Sequence, residues 1–460
     1  MKCLSLAVGY IFLWITHAIP VKDLFLQRAL PLPPSKDPFY VPPARLEDYQ
    51  PGTILRNRSI GALSFGGVVP FQAKEAYQLL YSSTDSLGNR AAAVTTIIIP
   101  ENANYSRVLS YQTAADSVSS SCSISYTLQL GSDPSKTGVN SAETLLIISA
   151  LDQGWIVNIP DYEGLDGAFT SGIQAGQATL DSVRASLCSG CLTGISPQAE
   201  YQMWGYSGGS LASEWAAELQ PSYAPELNFK GNVVGGLISN VTAVLYSVNS
   251  GPFAGLIPAG VIGLTRAYPE LKAYVDKHLI PSKASKFYKA SNECLLGTAL
   301  TYAYDDMFTY FDNGHDVLMS SVPQHVLATT TQMGTRGTPK MPTFLYQAVG
   351  DEVSPIGVVD NLVSKLCSQG ANIEYARNVH EGHATEAIGG SAKAFQFLID
   401  RFNGVPVTSG CTTNNVQFDG LDSGSFAVFG GFIGNALLAL MQVHVGPSNV
   451  FLGWAKNGPI

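Results

Sequence analysis

The chain reads as an α/β fold, with a mostly parallel central sheet covered on both faces and a helical segment inserted before its last strands. Three observations predict this. From residue 142 onward, helix-patterned stretches alternate with short apolar runs, as expected for strands buried on both sides. That alternation is interrupted by helix-like sequence between residues 242 and 340 and then resumes. Finally, a β-like run, Tyr201-Gln202-Met203-Trp204, leads through a glycine-rich turn directly into a helix-forming run.

The elements follow in order. Residues 19–52 hold Pro20, Pro31, Pro33, Pro34, Pro38, Pro42, Pro43 and Pro51, which predicts an extended arm lying on the body. Residues 76–83 and 91–99 are β-rich and flank the turn Asp85-Ser86-Leu87-Gly88-Asn89, so they predict an antiparallel hairpin. Residues 108–111 read as a short strand, 142–153 as a helix, 156–159 as a strand and 171–187 as a helix. Strand 201–204, helix 208–219 and strand 231–239 continue the series. The segment 242–340, with its apolar stretch 252–265 and its Tyr/Phe-rich stretch 302–311, is expected to form an inserted helical cap. Strand 343–349, helix 358–369, a final strand 372–375 and a helix at 385–402 complete the pattern. The expected organisation is an α/β core of residues 53–241 and 341–411, the cap 242–340, and a Gly-rich apolar tail 412–460.

Composition narrows the function classes. Charged residues make up only 13% of the 460 positions against roughly 25% in an average soluble protein. The net charge is -9 and no Lys/Arg-rich run appears, so nucleic acid is not an expected partner. Met1-Lys2, an apolar run over residues 4–15 and Thr16-His17-Ala18 predict a secretory signal at 1–18. Its removal takes Cys3 and leaves Cys122, Cys188, Cys191, Cys294, Cys367 and Cys411, an even set that favours disulfides in a secreted chain. Cys188 and Cys191 form a C-x-x-C with no companion zinc or redox motif, which reads as a local structural disulfide. Asn57, Asn104 and Asn240 head N-x-[ST] sequons and are the expected glycosylation positions.

The chemistry centres on Gly205-Tyr206-Ser207-Gly208-Gly209, a G-x-S-x-G turn between strand and helix. Such a turn holds the serine in strained geometry, and glycines two positions either side let the backbone pack closely. In this context the motif specifies an α/β-hydrolase fold with Ser207 as nucleophile. Its partners should follow in the chain order acid, then histidine. Of the seven histidines, His380 and His383 lie in the loop after the last strand, and His383 beside the closing helix is preferred over His380. Asp351, in the turn after strand 343–349, is the expected acid, with Glu352 its competitor; Asp360 falls inside the next helix and reads as a surface residue. The oxyanion needs donors. One is the N–H of Gly208; the other should come from Ser110-Tyr111-Gln112-Thr113-Ala114-Ala115-Asp116-Ser117, where no HGGG motif selects a residue.

These stretches together resemble the fungal secreted lipases of the Candida antarctica lipase A type, a branch of the α/β hydrolases. The resemblance rests on Ser110-Tyr111-Gln112 with Asp116, the Ser207 motif, Ser222-Tyr223-Ala224-Pro225-Glu226-Leu227-Asn228, Gly251-Pro252-Phe253-Ala254-Gly255, Asp351-Glu352 with Pro355, and His383-Ala384-Thr385-Glu386. It runs from about residue 40 to 405. It implies a triad of Ser207, Asp351 and His383, an oxyanion hole of Asp116 and Gly208, a helical cap, and disulfides Cys122–Cys294 and Cys367–Cys411. Cys188–Cys191 would be this chain's own addition.

Residues 426–445 are mostly apolar, but Gly430, Gly431 and Gly434 suit a flap better than a membrane-spanning helix. In the resembling family the corresponding region covers the acyl-binding site. The expected function is therefore a secreted triacylglycerol lipase acting at a lipid–water interface through an acyl-enzyme, with no metal or cofactor needed. The alternatives are a carboxylesterase for short soluble esters and a catalytically dead hydrolase fold that binds surfaces.

Overall fold

The computed structural model describes residues 30–137, 140–380 and 382–417. The expected leader 1–18, the start of the arm and the apolar stretch 426–445 lie outside the described residues. Among the described residues, no helix is long and apolar enough to cross a membrane.

Among the described residues there are twelve strands: β1 Ile54–Ser59, β2 Leu63–Phe65, β3 Val69–Phe71, β4 Glu75–Thr84, β5 Arg90–Ile99, β6 Asn104–Gln112, β7 Trp155–Pro160, β8 Glu200–Tyr206, β9 Asn232–Gly235, β10 Thr343–Ala348, β11 Ile373–Asn378 and β12 Thr412–Val416. Ten of them form one sheet in the order β1-β4-β5-β7-β6-β8-β9-β10-β11-β12, while β2 and β3 pair separately. The expected hairpin is β4 with β5, antiparallel, with Thr84 opposite Arg90. From β7 to β12 every neighbouring pair is parallel. The expected α/β-hydrolase class, with its mostly parallel sheet, is borne out.

Burial follows from the strand period of two. Met203, Ile156 and Leu345 point into one apolar layer, and their chain neighbours Trp204, Val157 and Tyr346 into the layer on the opposite face. Helices Gly172–Cys188 and Gly208–Tyr223 cover the first face. They approach closely because Gly176 has no side chain: a Cβ there would sit 2.7 Å from the Trp215 carbonyl carbon. Helices Asn140–Asp152 and Ser391–Phe402 cover the other face through Ile147, Ile148, Phe395 and Leu398.

The topology creates the crevice. The chain leaves β6 for β7 on one side, then returns through the Gly172–Cys188 helix to β8 on the other side of β6. A sheet that reverses winding in this way opens a cleft beyond the carboxyl ends of its central strands. There Gln112 at the end of β6 is in register with Gly205 of β8, and Ala348 of β10 with Asn378 of β11. Between β9 and β10 lie six α-helices: Val241–Val248, Leu256–Ala267, Pro269–His278, Pro281–Tyr288, Leu295–Tyr302 and Ser321–Thr330. The disulfide Cys122–Cys294 joins this helical segment to the loop after β6, and Cys367–Cys411 ties the Ile356–Ser368 helix to the chain entering β12.

Several elements differ from expectation, the unread pair β2 and β3 among them. β1 went unread because Arg56, Asn57 and Arg58 mask its alternation, as suits an edge strand. β12, Thr-Thr-Asn-Asn-Val, is a polar exposed strand and follows the strand expected to be last. The single closing helix is two, His383–Gly389 and Ser391–Phe402, meeting at Gly390.

A correction concerns Cys188 and Cys191, which stand as two exposed, unjoined thiols. Cys188 ends one helix and Cys191 lies in the next helical turn, Gly190–Thr193. Ser189, at φ -82° and ψ 5°, breaks the helix between them, so the two thiols are not set on one helical turn.

Candidate active site

Ser207 sits between β8 and the Gly208–Tyr223 helix at φ 53° and ψ -122°, a conformation non-glycine residues rarely adopt. Its neighbours permit it. A Cβ on Gly205 would lie 2.1 Å from the Gly209 carbonyl oxygen, and one on Gly209 would lie 1.9 Å from the Gln112 carbonyl oxygen. The Ser207 N–H donates to the Gly235 carbonyl at 2.9 Å, so the turn is also held from β9.

His383, at the start of its helix, brings Nε2 to 2.8 Å from Ser207 Oγ and Nδ1 to 2.8 Å from Asp351 Oδ2. Both His383 and Asp351 are buried. Asp351 Oδ1 accepts the N–H groups of Val353 at 2.9 Å and Ser354 at 2.7 Å, and Oδ2 accepts Gln347 Nε2 at 2.7 Å. Gln347 is fixed in turn, since its Oε1 accepts the Leu237 N–H at 2.6 Å. The competing residues fall elsewhere. Glu352 Oε2 accepts the His383 backbone N–H at 2.9 Å, His380 is exposed in the loop, and Asp360 pairs with Arg377 at 3.1 Å. Tyr206, inside the motif, donates its hydroxyl to the His383 carbonyl and lies against its ring.

The loop after β6 places Asp116 beside Ser207. Asp116 is buried, has a positive φ of 47°, and its Oδ1 has no hydrogen-bond partner among the described residues. Burial pushes its carboxyl up to about 6, against a downward pull from His383. Glu143 braces this loop: Oε2 accepts the Ala114 N–H at 2.9 Å and Oε1 accepts the Tyr111 hydroxyl at 3.1 Å. Tyr162 donates to the Thr113 carbonyl at 2.8 Å, and Ser117 Oγ donates to the Glu293 carbonyl in the helical segment at 2.8 Å. Gly208, as the first residue of its helix, has an N–H with no intrahelical acceptor.

A cavity opens over Ser207, walled by Asp116, Phe169, Leu211, Ile238, Val244 and Leu245. Leu245 also belongs to the wall of a second cavity inside the helical segment, lined solely by Leu, Ile, Val, Phe, Tyr and Pro side chains, among them Val261, Leu264, Phe308 and Phe311. The supporting roles of Gln347, Glu143, Tyr206 and Glu352 went unread in the sequence. The available signal was a polar residue in an apolar run, as in Phe344-Leu345-Tyr346-Gln347-Ala348. Of the sequon residues, Asn57 and Asn104 are exposed, whereas half-buried Asn240 caps the Val241–Val248 helix by accepting the Ala243 N–H at 3.2 Å.

Residues 128–410 match the family model described as secretory lipase. Over 457 residues the chain is 40% identical to Lipase A of Arthroderma benhamiae, covering 97% of each protein. It is 39% identical to Lipase 5 of Candida albicans over 403 residues, covering 85% of this chain and 86% of the relative. Among solved structures, Candida antarctica lipase A in its closed state superposes with a TM-score of 0.79 at 29% identity, covering 85% of this chain and 92% of that one. The rice cell wall degrading esterase LipA of Xanthomonas oryzae, at 16% identity and a TM-score of 0.56 over 78% of this chain and 97% of that one, shares the fold.

Proposed function

The chain belongs to the secretory lipase family, and from that premise we propose that it is a secreted triacylglycerol lipase whose nucleophile, base and acid are Ser207, His383 and Asp351. The observation that carries this reading is the continuous line from Asp351 Oδ2 through the His383 ring to Ser207 Oγ, opening into an apolar cavity.

The steps follow from the atoms. His383 Nε2 takes the Ser207 hydroxyl proton as Oγ attacks the ester carbonyl, while Asp351 holds the ring through Nδ1–H and balances the imidazolium charge. Negative charge then grows on the carbonyl oxygen. The Gly208 N–H and the Asp116 carboxyl are the donors for it, and the carboxyl donates only while protonated, the form that burial favours. His383 next gives its proton to the departing glycerol oxygen, leaving an acyl-Ser207 ester. Water enters and loses a proton to His383 as its oxygen attacks the acyl carbonyl, and His383 returns that proton to Ser207 Oγ as the acyl bond breaks and frees the fatty acid.

Substrate class is argued from the walls. A fatty acyl chain gains by leaving water, at about 0.8 kcal/mol for each buried CH₂. The Ser207 cavity and the second cavity share Leu245 as a common wall, and we take the apolar side chains on either side of it as the path for the acyl chain. We take residues 242–340 to be the cap that forms this path, residues 1–18 to be a cleaved leader, and the tail beyond residue 411 to be a flap.

Turnover of emulsified long-chain triacylglycerol, with Ser207→Ala as control, tests the reading. Fatty-acid release should depend wholly on Ser207. Hydrolysis confined to short soluble esters would replace it with a carboxylesterase, and no fluorophosphonate labelling beyond that of Ser207→Ala would remove the enzyme reading altogether.

A further inference from the structure

The helix Leu295–Tyr302 is turned inside out for a soluble protein. Thr298 and Tyr302 are buried, whereas Leu296 is 55% exposed and Leu300 77% exposed on the opposite face. One turn later Tyr304 is 71% exposed, and its backbone is held at φ 63°, a left-handed conformation that costs a non-glycine residue energy. From Cys294 to Tyr304 there is no charged residue. The charges at its ends are paired: Glu293 with Lys289 at 3.0 Å and Asp305 with Lys286 at 2.6 Å.

This face is fixed beside the catalytic cleft. Cys294, which precedes the helix, is bonded to Cys122 on the loop that follows Asp116, and Glu293 accepts Ser117 Oγ of that loop at 2.8 Å. The helix also packs against the entry to the cavity wall. A Cβ on Gly255 would lie 2.4 Å from the Thr298 carbonyl oxygen, and the next residue, Leu256, lines the Ser207 cavity. Tyr304 N–H donates to the Gly251 carbonyl at 2.8 Å, so Tyr304 is set by the same loop.

We propose that Leu296, Leu300 and Tyr304 form the surface by which the protein docks onto an uncharged acylglycerol–water interface, presenting the cleft to its substrate. The proposal rests on the lipase reading and adds to it where the molecule touches the oil. Charge selects the occupant: an uncharged patch on a chain of net charge -9 suits neutral lipid and is repelled by an anionic bilayer. A second copy of the chain is a poor fit, because three side chains fall far short of the roughly 20–30 residues a side of a stable protein interface.

The test uses the full-length secreted protein and the variant Leu296→Gln/Leu300→Gln, which retains good helix formers. Three quantities are read: depletion of protein from water onto a trioleoylglycerol emulsion, fatty-acid release from that emulsion, and kcat/KM for a water-soluble short-chain aryl ester. Adsorption and emulsion turnover should fall by about tenfold or more, given the apolar burial lost, while soluble-ester kcat/KM stays within about twofold. Tyr304→Asn, which tolerates the left-handed backbone, should show a smaller loss of the same kind. Unchanged adsorption by both variants, or equal losses on emulsion and soluble ester, overturns the docking surface. Tighter adsorption of the unmodified protein to phosphatidylglycerol vesicles than to the emulsion overturns the assigned occupant. Emulsion turnover that is insensitive to the variants sinks the docking face alone, whereas soluble-ester activity with no emulsion turnover by the unmodified protein sinks the lipase reading with it.

Discussion

Asp116 and Gly208 share one space: the Asp116 Oδ1 lies 1.9 Å from where a Cβ on Gly208 would stand. Only a glycine after the nucleophile lets that carboxyl reach the cleft. If the protonated carboxyl is an oxyanion donor, its use has a pH signature. The group is a donor below about 6 and loses its proton as pH rises through that value. Asp116→Asn supplies an amide donor that does not titrate, so kcat should lose this alkaline decline while keeping much of its size. Asp116→Ala should lower kcat by about 10²–10³ below about pH 6, where the native carboxyl donates, and by less above it. Identical pH profiles for native and Asn forms would remove Asp116 from the oxyanion hole. Gly208→Ala should abolish activity, through its clash with Oδ1.

Gln347 and His383 meet on one oxygen. Both donate to Asp351 Oδ2, at 2.7 and 2.8 Å, and the Gln347 side chain also binds the Leu237 N–H. Gln347→Glu keeps the shape but sets a second carboxylate against Asp351. We expect kcat/KM to fall by about tenfold to a hundredfold, the range expected when a buried polar partner is lost. Gln347→Met, which removes the donor without adding charge, should fall less. Equal losses would assign Gln347 a packing role alone.

How far the sequence reaches is clear from particular residues. Ser207 was legible because its turn needs glycine at both 205 and 209, where a Cβ would collide with backbone. His383 and Asp351 were legible through chain order and loop position. Their supports were not, because Gln347 in β10 and Glu143 in its helix reach sites 4 residues and 29 residues away. Such contacts, with that of Gln347 to the Leu237 N–H 110 residues away, exist only once β9 and β10 lie side by side and the helix bearing Glu143 covers the sheet. The central strands, buried on both faces, declare themselves by unbroken apolar runs, whereas edge strands β1 and β12 carry the polar residues that keep an edge from pairing with other chains. The Cys188–Cys191 pairing failed for a geometric reason that spacing alone does not carry.

Buried acids set the pH range of stability. Glu143 is pushed up to about 8 and Glu218 to about 7, chiefly by burial, and Glu214 lies well above the usual carboxylate range for the same reason. A folded-state value above the unfolded one means stability is fully present below about 4.5 and is lost as pH rises through the folded values. The melting temperature should therefore be higher at pH 5 than at pH 8. Glu214→Gln, which fixes the neutral form beside Asn232, should flatten that decline. A native protein that melts higher at pH 8 than at pH 5 would show that other groups govern the pH dependence.

The four remaining cysteine partners divide the molecule's redox behaviour from its thiols. Cys122–Cys294 closes a loop spanning 172 residues and Cys367–Cys411 one spanning 44, so the first constrains the unfolded chain more. Removing it as Cys122→Ser/Cys294→Ser should cost about 2–5 kcal/mol and should also lower emulsion activity, because the loop bearing Asp116 loses its tie to the helical segment. Cys188 and Cys191 behave oppositely. Both are exposed and unjoined, so a maleimide should label two thiols in the native, unreduced protein. Cys188→Ser/Cys191→Ser should leave the melting temperature within about a degree, since no bridge is lost and exposed substitutions usually change stability by no more than about 0.5 kcal/mol. Intact-mass measurement before and after alkylation decides between the alternatives: two added maleimides match the free pair, and none would mean that the turn closes into the local disulfide after all.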